Sequence, residues 1–470
     1  MTATTPAGPT PALDPRAPNE HGGLARRLGV FDATMIVMGG IVGSGIFINP
    51  YVVARQVRTP VLILGAWALG GLIALAGAFI YAELATRLPE VGGQYAYLRE
   101  AYHPAVAFLY GWVLLLVIQT GGMAAVAVTF AAYFRELAGG AIPPSALAAL
   151  VLAGLAIVNC LGVRSGSSVQ SGLMVLKIVA IAALVAGGGW FLFHEGAASA
   201  AAAAPPASPA APAGTLRAMG VAMVPVLFAY GGWQTSSFVS EEIREPRRNL
   251  PRALVLGVAG VIVLYLGVNY VCVSVLGPAG LAATATPASA VMQRAFGRAG
   301  SRWIALGIAI SALGFLSQSI LTAPRVYYAM ARDGLFFRWV GWLDPRHGVP
   351  TVAILLQAVM AIVIALSGRY DQILSYVVSM DFLFFGLTAS CLFVFRRREK
   401  RGGARRDSRF PALARVPGHP VTTALFVAVS WLVVVSTIAR YPVNTAVGMG
   451  ILVAGIPVYL AWSRRKKGRS

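Results

Sequence analysis

GGIVGSGIF, residues 39–47, is the stretch of sequence that decides the fold of this chain. It lies in the middle of an apolar run at 33–54 that contains no charged residue. Four glycines within seven positions disfavour a continuous helix, since each is roughly 1 kcal/mol less favourable than alanine in a helix interior. A broken helix exposes backbone N–H and C=O groups that lipid cannot satisfy, so the break must face protein or a filled cavity. The stretch alone leaves two alternatives open, a site for a polar ligand or close packing of helices through small residues.

Composition places the chain among polytopic helical membrane proteins. Of the 470 residues, 57% are hydrophobic and 12% are charged, and the mean hydropathy is +0.72. A soluble protein of this length would have a far more charged surface. Twelve stretches that carry at most one charge are long enough to span a bilayer. They lie at 33–54, 61–82, 104–134, 141–163, 165–193, 218–240, 253–276, 303–324, 348–368, 372–395, 420–439 and 441–463.

The net charge of +21 indicates an orientation in the membrane, because its distribution over the loops is uneven. With both termini on one side, 28 of the 38 Lys and Arg residues fall on that side, nine fall on the other, and Lys177 lies within a span. This excess predicts that both termini are cytoplasmic. We expect the protein to lie in the plasma (inner) membrane. The basic runs at 396–415 and 464–469 are candidate contacts for anionic lipid headgroups. No nucleic-acid partner is expected.

A second interrupted span, FAYGGW at 228–233, opens the second half of the chain. A glycine pair again breaks an apolar helix, with Pro225 one turn earlier, and an Ala/Pro-rich loop at 194–214 separates the two halves. Two interrupted helices, one opening each half, indicate an inverted-repeat transporter whose site lies near the bilayer midplane. This second break favours the ligand-site interpretation of the first one.

Two ionisable residues lie inside spans, Lys177 in the fifth and Asp381 in the tenth. A charge at this depth is costly, so each side chain is expected to face the bundle and to have partners. Lys177 lies more than ten residues from either end of its span, which is too far for its ammonium group to reach the interface. We expect a structural or coupling role for it. Asp381 leaves two alternatives, a hydrogen-bonded packing residue or a pocket residue that binds a cationic side chain or carries a proton.

These motifs resemble those of the amino acid–polyamine–organocation (APC) superfamily of transporters. The matching stretches are 41–47, 81–84 with 92–93, 228–233, 241–242 with 249–252, and 325–334. Lys177 is similar to the helix-five lysine of L-type exchangers and of some proton-coupled bacterial permeases. The resemblance implies an all-α, LeuT-like fold of twelve transmembrane helices, in which the first ten form a five-plus-five inverted repeat and helices one and six are broken.

The resemblance also implies a site built from backbone groups at the two breaks. Its expected N–H donors to a substrate carboxylate are Gly43, Ser44 and Gly45, and its expected carbonyl acceptors for an ammonium group are Ile41, Phe228 and Gly231. Helix dipoles support this assignment independently, because a restarting helix presents a positive end and a terminating one a negative end. Such a site suits an α-amino acid zwitterion and requires no cofactor and no metal ion.

Selectivity must come from side chains, and here the sequence departs from the L-type pattern. Gln234 stands where those transporters typically have Asn, the region of Thr120 replaces a helix-three proline, and Asp381 stands where an uncharged residue is more usual. The expected side-chain pocket consists of Thr120, Met123, Trp233, Gln234, Tyr376 and Met380.

We therefore expect secondary active transport of neutral L-amino acids by alternating access, since neither break contains a carboxylate. Lys177 is expected to take the place of a sodium ion, donating to carbonyls freed near Gly40, so that transport is sodium-independent. Exchange and proton symport both remain open. The alternatives are a cationic amino acid or polyamine antiporter and a transporter-like amino acid sensor. The sequence contains no HExxH, GxSxG or CxxC motif of an enzyme.

The expected organisation follows the spans and the loops between them. The last two helices have no polar residue in mid-span, so they are expected to serve packing or contacts in a homo-oligomer. The predicted segments are a disordered cytoplasmic N-terminus at 1–28, a first repeat at 29–193, an extracytoplasmic loop at 194–214, a second repeat at 215–396, a basic cytoplasmic loop at 397–418, two further helices at 419–463 and a basic cytoplasmic tail at 464–470.

Overall fold

A computed structural model of the chain describes residues 26–138, 142–195, 214–367, 370–401, 415–440 and 442–467. Nearly all of these residues lie in helices, and they contain no β-strand beyond a single bridge between Leu28 and Ile243. The all-α class is therefore confirmed. Most of the predicted segments at 1–28 and 194–214, the middle of the basic loop and the end of the tail lie outside the described residues.

The described residues contain sixteen α-helices, one π-helical turn and two 3₁₀ segments. A π-helical turn at Leu114–Ile118 separates α5 from α6, and 3₁₀ segments lie at Trp233–Glu242 and Arg338–Gly341. The α-helices are α1 Val30–Ile41, α2 Gly45–Val57, α3 Pro60–Arg87, α4 Gln94–Ala101, α5 Pro104–Val113, α6 Gln119–Ala138, α7 Pro144–Cys160, α8 Val163–Glu195, α9 Thr215–Tyr230, α10 Pro246–Ala283, α11 Pro287–Thr322, α12 Pro324–Arg332, α13 Thr351–Ser367, α14 Tyr370–Arg401, α15 Val421–Arg440 and α16 Pro442–Lys467.

The described residues contain eight helical segments long and apolar enough to cross a membrane, or nine if α1 and α2 count as one bent span. Two shorter apolar helices, Pro144–Cys160 and Thr351–Leu366, accompany them. A protein that spans a membrane many times is therefore confirmed. The count of twelve spans and the inverted repeat stay predictions.

Both predicted interruptions are present. The axes of α1 and α2 differ by 41° across the short break at 42–44. The second interruption follows Tyr230, where Gly231 is extended, Gly232 has a φ of 103° and the chain continues as the 3₁₀ segment. Both helices thus end within the glycine-rich stretches, α1 one residue after the pair Gly39–Gly40 and α9 immediately before the pair Gly231–Gly232.

Helices α8 and α11 pack closely because glycines on α11 leave room for side chains of α8. A Cβ atom added at Gly307 would lie 2.7 Å from the Cβ of Ala180. One added at Gly314, two turns further along, would lie 3.4 Å from the Nζ atom of Lys177. Gly314 therefore provides the space in which the Lys177 side chain lies.

A buried ion pair joins the 3₁₀ segment after the second break to α12. Nε of Arg325 donates to Glu242 at 2.7 Å, Nη2 donates at 3.2 Å, and both side chains are fully buried. The backbone N–H of Leu28, just before α1, donates to the carbonyl oxygen of Glu242 at 2.9 Å. The hydroxyl of Ser240 donates to the carbonyl of Glu90 at 2.5 Å. These contacts close the bundle at the end where the first broken helix begins and the second one ends.

Removing the cation of this pair should destabilise the protein more than removing the pair. Arg325→Met leaves the Glu242 carboxylate buried without a counter-ion, so we expect the free energy of unfolding to fall by about 3–5 kcal/mol. Glu242→Leu combined with Arg325→Met should recover most of that loss. The thermal midpoints of the purified variants in one detergent test this, and a double variant no more stable than Arg325→Met would contradict it.

Candidate functional site

The backbones of the two breaks touch each other directly. A Cβ atom added at Gly232 would lie 2.0 Å from the carbonyl oxygen of Gly40, and one added at Gly40 would lie 2.5 Å from the carbonyl oxygen of Gly232. Any side chain at either position would collide with main-chain atoms. The glycines of the two stretches therefore allow two interrupted helices to cross at van der Waals contact.

A cavity of about 80 Å³ lies beside this crossing. Its lining includes all six backbone-site residues that the sequence predicted, together with Gln234 and Asp381. The lining residues are Gly40, Ile41, Gly43, Ser44, Gly45, Ile118, Gln119, Gly122, Ala125, Val126, Phe228, Ala229, Gly231, Gly232, Gln234, Thr235, Phe315, Gln318, Ser319, Val377, Val378, Asp381 and Phe382.

The first break supplies free N–H groups to the cavity. Ser44 precedes α2 and Gly45 begins it, and their backbone N–H groups donate to no described atom. The N–H of Gly43 differs from the prediction, because it donates to the carbonyl of Ile41 at 2.9 Å. The N-terminal end of a helix of this length favours an anion. The N–H groups of Ser44 and Gly45, two of the three predicted donors, are thus available to bind an anion.

The second break supplies carbonyl groups. The carbonyl oxygen of Phe228 accepts one hydrogen bond, from the N–H of Gly231 at 3.1 Å, and retains a second lone pair. No described donor bonds to the carbonyl oxygen of Gly231. Ile41 is less available, because its carbonyl oxygen already accepts from Gly43 and from the hydroxyl of Tyr265. The cavity therefore has N–H groups at one break and acceptors at the other.

Tyr265 of α10 connects the two breaks, a role that the sequence did not reveal. Its hydroxyl lies 3.1 Å from the carbonyl oxygens of both Ile41 and Ala229. One hydroxyl has one hydrogen, so it serves the two carbonyls alternately or through a shared bond. A buried tyrosine within an apolar span was the available signal, but such a residue does not by itself identify its partners.

The fully buried Lys177 lies at the first break, behind the cavity lining. Its ammonium group donates to the carbonyl oxygen of Val42, which the end of α1 leaves unbonded within the helix. Gln170, two turns earlier on α8, donates to the carbonyl of Met35 at 3.0 Å. The sequence placed the lysine contact near Gly40, and the structure places it two residues further along. One face of α8 thus satisfies two carbonyls of α1 and the break after it.

A chain of hydrogen bonds from α11 supports the crossing of the two breaks. The sequence did not reveal this chain either. Gln318 Nε2 donates to the Thr235 hydroxyl at 2.5 Å, and that hydroxyl donates to the Gly232 carbonyl at 2.8 Å. Phe315, one turn earlier, packs over Gly43. The sequence did contain a signal for this polar face of α11, namely several polar residues at helical spacing within one apolar span.

Four of the expected pocket side chains lie outside the cavity lining. The Thr120 hydroxyl donates to the Leu115 carbonyl at the π-helical turn, at 2.6 Å. Met123 accepts a bond from Gln357 Nε2 at 3.0 Å, and Met380 is fully buried.

Trp233, the fourth of these residues, packs against aromatic rings. Its ring centroid lies 4.7 Å from that of Tyr81 and 5.1 Å from that of Phe385. Its side chain is therefore engaged in packing. The side chain of the last candidate, Tyr376, lies outside the described residues. In the part of the chain that the structure describes, no group of three or more His, Cys, Asp or Glu side chains could hold a metal ion.

Comparison with known proteins finds a family and several relatives. The model of the amino acid permease family matches residues 28–462. The serine/threonine exchanger SteT of Bacillus subtilis (strain 168) is 30% identical over 457 residues, which cover 95% of this chain and 99% of that protein. The b(0,+)-type amino acid transporter 1 of Mus musculus is 31% identical over 385 residues, covering 80% and 77%. The large neutral amino acids transporter small subunit 2 of Homo sapiens is 28% identical over 479 residues, covering 98% and 86%.

A methyl group at the crossing should destabilise the fold. Gly232→Ala introduces a Cβ atom 2.0 Å from a main-chain oxygen, at a φ of 103°, so the breaks must separate. Gly65→Ala on α3 is the matched control, since its added Cβ meets nothing within 4 Å. We expect a clearly lower thermal midpoint for Gly232→Ala and an unchanged or higher one for the control. Equal midpoints for the two variants would show that the crossing tolerates a side chain.

Proposed function

This chain belongs to the amino acid permease family, and we propose that it carries small neutral L-amino acids across the plasma membrane by sodium-independent alternating access. The family and the named relatives are amino acid transporters and exchangers, so a general role in amino acid transport is established. They are not enzymes, as the sequence predicted. The substrate, the coupling and the residues are the proposal.

The observation that carries the proposal is the polarity of the cavity. Free N–H groups of Ser44 and Gly45 lie at one break, and carbonyls of Phe228 and Gly231 lie at the other. An α-amino acid zwitterion carries a carboxylate and an ammonium group on one carbon, so it complements both ends at once. Because the donors and acceptors belong to interrupted helices, a change in the angle between half-helices would open the site toward one side or the other.

The size of the cavity supports a small side chain. Its volume of about 80 Å³ is roughly half that of an engineered 150 Å³ cavity that holds benzene. SteT, by its name, exchanges serine and threonine, whereas the human relative is named for large neutral amino acids. The volume therefore favours substrates of the size of alanine or serine in this conformation.

Lys177 supports sodium independence. Its ammonium group lies between the first break and Gly314 of α11, and it donates to a carbonyl that the break has freed. The Lys177 amine there would fulfil the role that a bound sodium ion would otherwise have. The proposed orientation has both termini in the cytoplasm, and the excess of Lys and Arg on that side supports it. Anionic lipids are proposed to contact the basic loops, and the last two helices to make any homo-oligomer contacts.

Counterflow in reconstituted vesicles tests the function. Vesicles loaded with unlabelled L-alanine should accumulate external tritiated L-alanine in sodium-free buffer, and a sodium gradient should not change the rate. Uptake into unloaded vesicles under an inward proton gradient would indicate symport, and its absence would indicate exchange. L-Serine, L-leucine and L-lysine are tested in the same way as L-alanine. If an amino acid raises the thermal midpoint of the protein but no label is ever moved, the protein is a sensor.

Loss of the Lys177 amine should abolish or cripple transport. Lys177→Ala removes the donor to the Val42 carbonyl and leaves that group unsatisfied inside the bundle, so we expect at least a tenfold fall in counterflow rate. Lys400→Ala, an exposed lysine at the end of α14, is the control and should keep the rate of the unaltered protein. Near-normal counterflow by Lys177→Ala would refute the proposed role.

A further inference from the structure

Asp381 is the unexplained charge of the site. Among the described residues that line the cavity, it alone has an ionisable side chain. The sequence-based expectation of a neutral substrate rested on the absence of a carboxylate from the two breaks. The structure adds one from α14, a helix that contains neither break.

No described group neutralises this carboxylate. Asp381 makes no hydrogen bond and no ion pair with the described part of the chain. The ionisable side chains that interact with it are the hydroxyls of Tyr81 and Tyr110, which carry no positive charge. Lys177 lies outside the lining and donates to Val42. Since an unpaired charge inside a membrane protein is costly, a partner is expected to come from the cavity itself.

The carboxylate lies at the acceptor end of the cavity. A Cβ atom added at Gly231 would lie 3.9 Å from Oδ2 of Asp381, so the carboxylate is close to the residue at the second break. The carbonyls of Phe228 and Gly231 belong to the same end. An ammonium group has three N–H donors, and two carbonyls and one carboxylate would satisfy all three.

We propose that Asp381 is the anionic partner of the substrate's ammonium group. The inference rests on the proposed function, and it defines the substrate class by a primary ammonium group, so that the class extends to compounds that lack the α-carboxylate. A zwitterion brings a second negative charge into a site that already contains one. A cationic amino acid amide does not, so the carboxylate should favour the amide more strongly than the zwitterion.

The test compares the binding of L-alanine and L-alaninamide, because the two compounds have nearly the same shape and differ in net charge. At pH 6.5 the amino groups of both are largely protonated. Each is added unlabelled, and its inhibition of tritiated L-alanine counterflow is measured for the unaltered protein and for Asp381→Asn. Asp344→Asn is the matched control, since it makes the same chemical change in a loop outside the cavity lining.

We expect the unaltered protein to bind the amide within about tenfold of L-alanine. In Asp381→Asn, affinity for the amide should fall roughly ten- to hundredfold, as for loss of a charge-assisted bond, and affinity for L-alanine should fall less. Asp344→Asn should change neither. Equal affinities in Asp381→Asn and the unaltered protein, or a loss confined to L-alanine, would overturn the inference.

Three further outcomes keep the inference separate from folding and from the proposed function. If Asp381→Asn does not yield folded protein, the unaltered protein decides alone: rejection of L-alaninamide would overturn the inference, and inhibition close to that of L-alanine would support it. If the unaltered protein moves no labelled amino acid, the proposed function itself fails. If it exchanges L-alanine and Asp381→Asn does so with unchanged selectivity, only this inference fails.

Discussion

The contact between the backbones of the two helix breaks is the constraint on which the rest of the structure depends. At the crossing, Gly40 and Gly232 approach so closely that neither position has room for a Cβ atom. Each break frees peptide groups at a depth where lipid offers no hydrogen bonds. The protein must therefore supply partners, and the polar side chains of its interior can be understood from this requirement. Lys177, Gln170 and Tyr265 all donate to carbonyls of the broken helices.

These supporting side chains come from helices that are themselves unbroken at those positions. α8 holds the first half-helix through two side chains on one face, α11 reaches the second break through Gln318 and Thr235, and α10 reaches both through Tyr265. The cavity is the space left between the breaks and this frame after the internal bonds are made. The backbone groups that remain free in the cavity are those that no neighbouring side chain satisfies. They are N–H groups at the first break and carbonyl groups at the second. Site and fold thus have one physical origin.

The sequence predicted the breaks and the charged residues because both are local signals. Glycine density interrupts a helix wherever it occurs, and a charge within an apolar span must face the bundle. The rotation of each helix is not local, and for that reason four of the six expected pocket side chains lie outside the cavity lining. On α6 and the preceding turn the lining includes Ile118, Gln119 and Gly122, whereas Thr120 and Met123 were expected. One residue turns a helix by 100°, so an error of one position moves a side chain to a neighbouring face.

The same displacement occurs on α14 and has the same explanation. Val377 and Asp381 line the cavity, and Met380, one residue earlier than the aspartate, packs elsewhere.

The π-helical turn at Leu114–Ile118 shifts the rotational phase of the helix that follows it, α6, and nothing in the apolar letters LLLVI predicts that insertion. Tyr265 and Gln318 could not be assigned because their partners lie far away in the sequence. Such contacts are defined only once the helices are assembled.

The fixed charges bear on how the protein would return after releasing its substrate. Lys177 has a partner within the chain, the Val42 carbonyl. Asp381 has no such partner among the described residues, and in the proposed complex the substrate provides it. An empty site would have to reorient with an unpaired carboxylate inside the bundle, which is costly. A loaded site would reorient with that charge compensated. In the proposed complex the loaded form would therefore cross between the two states most readily, and this would favour exchange of one substrate for another over return of the empty carrier.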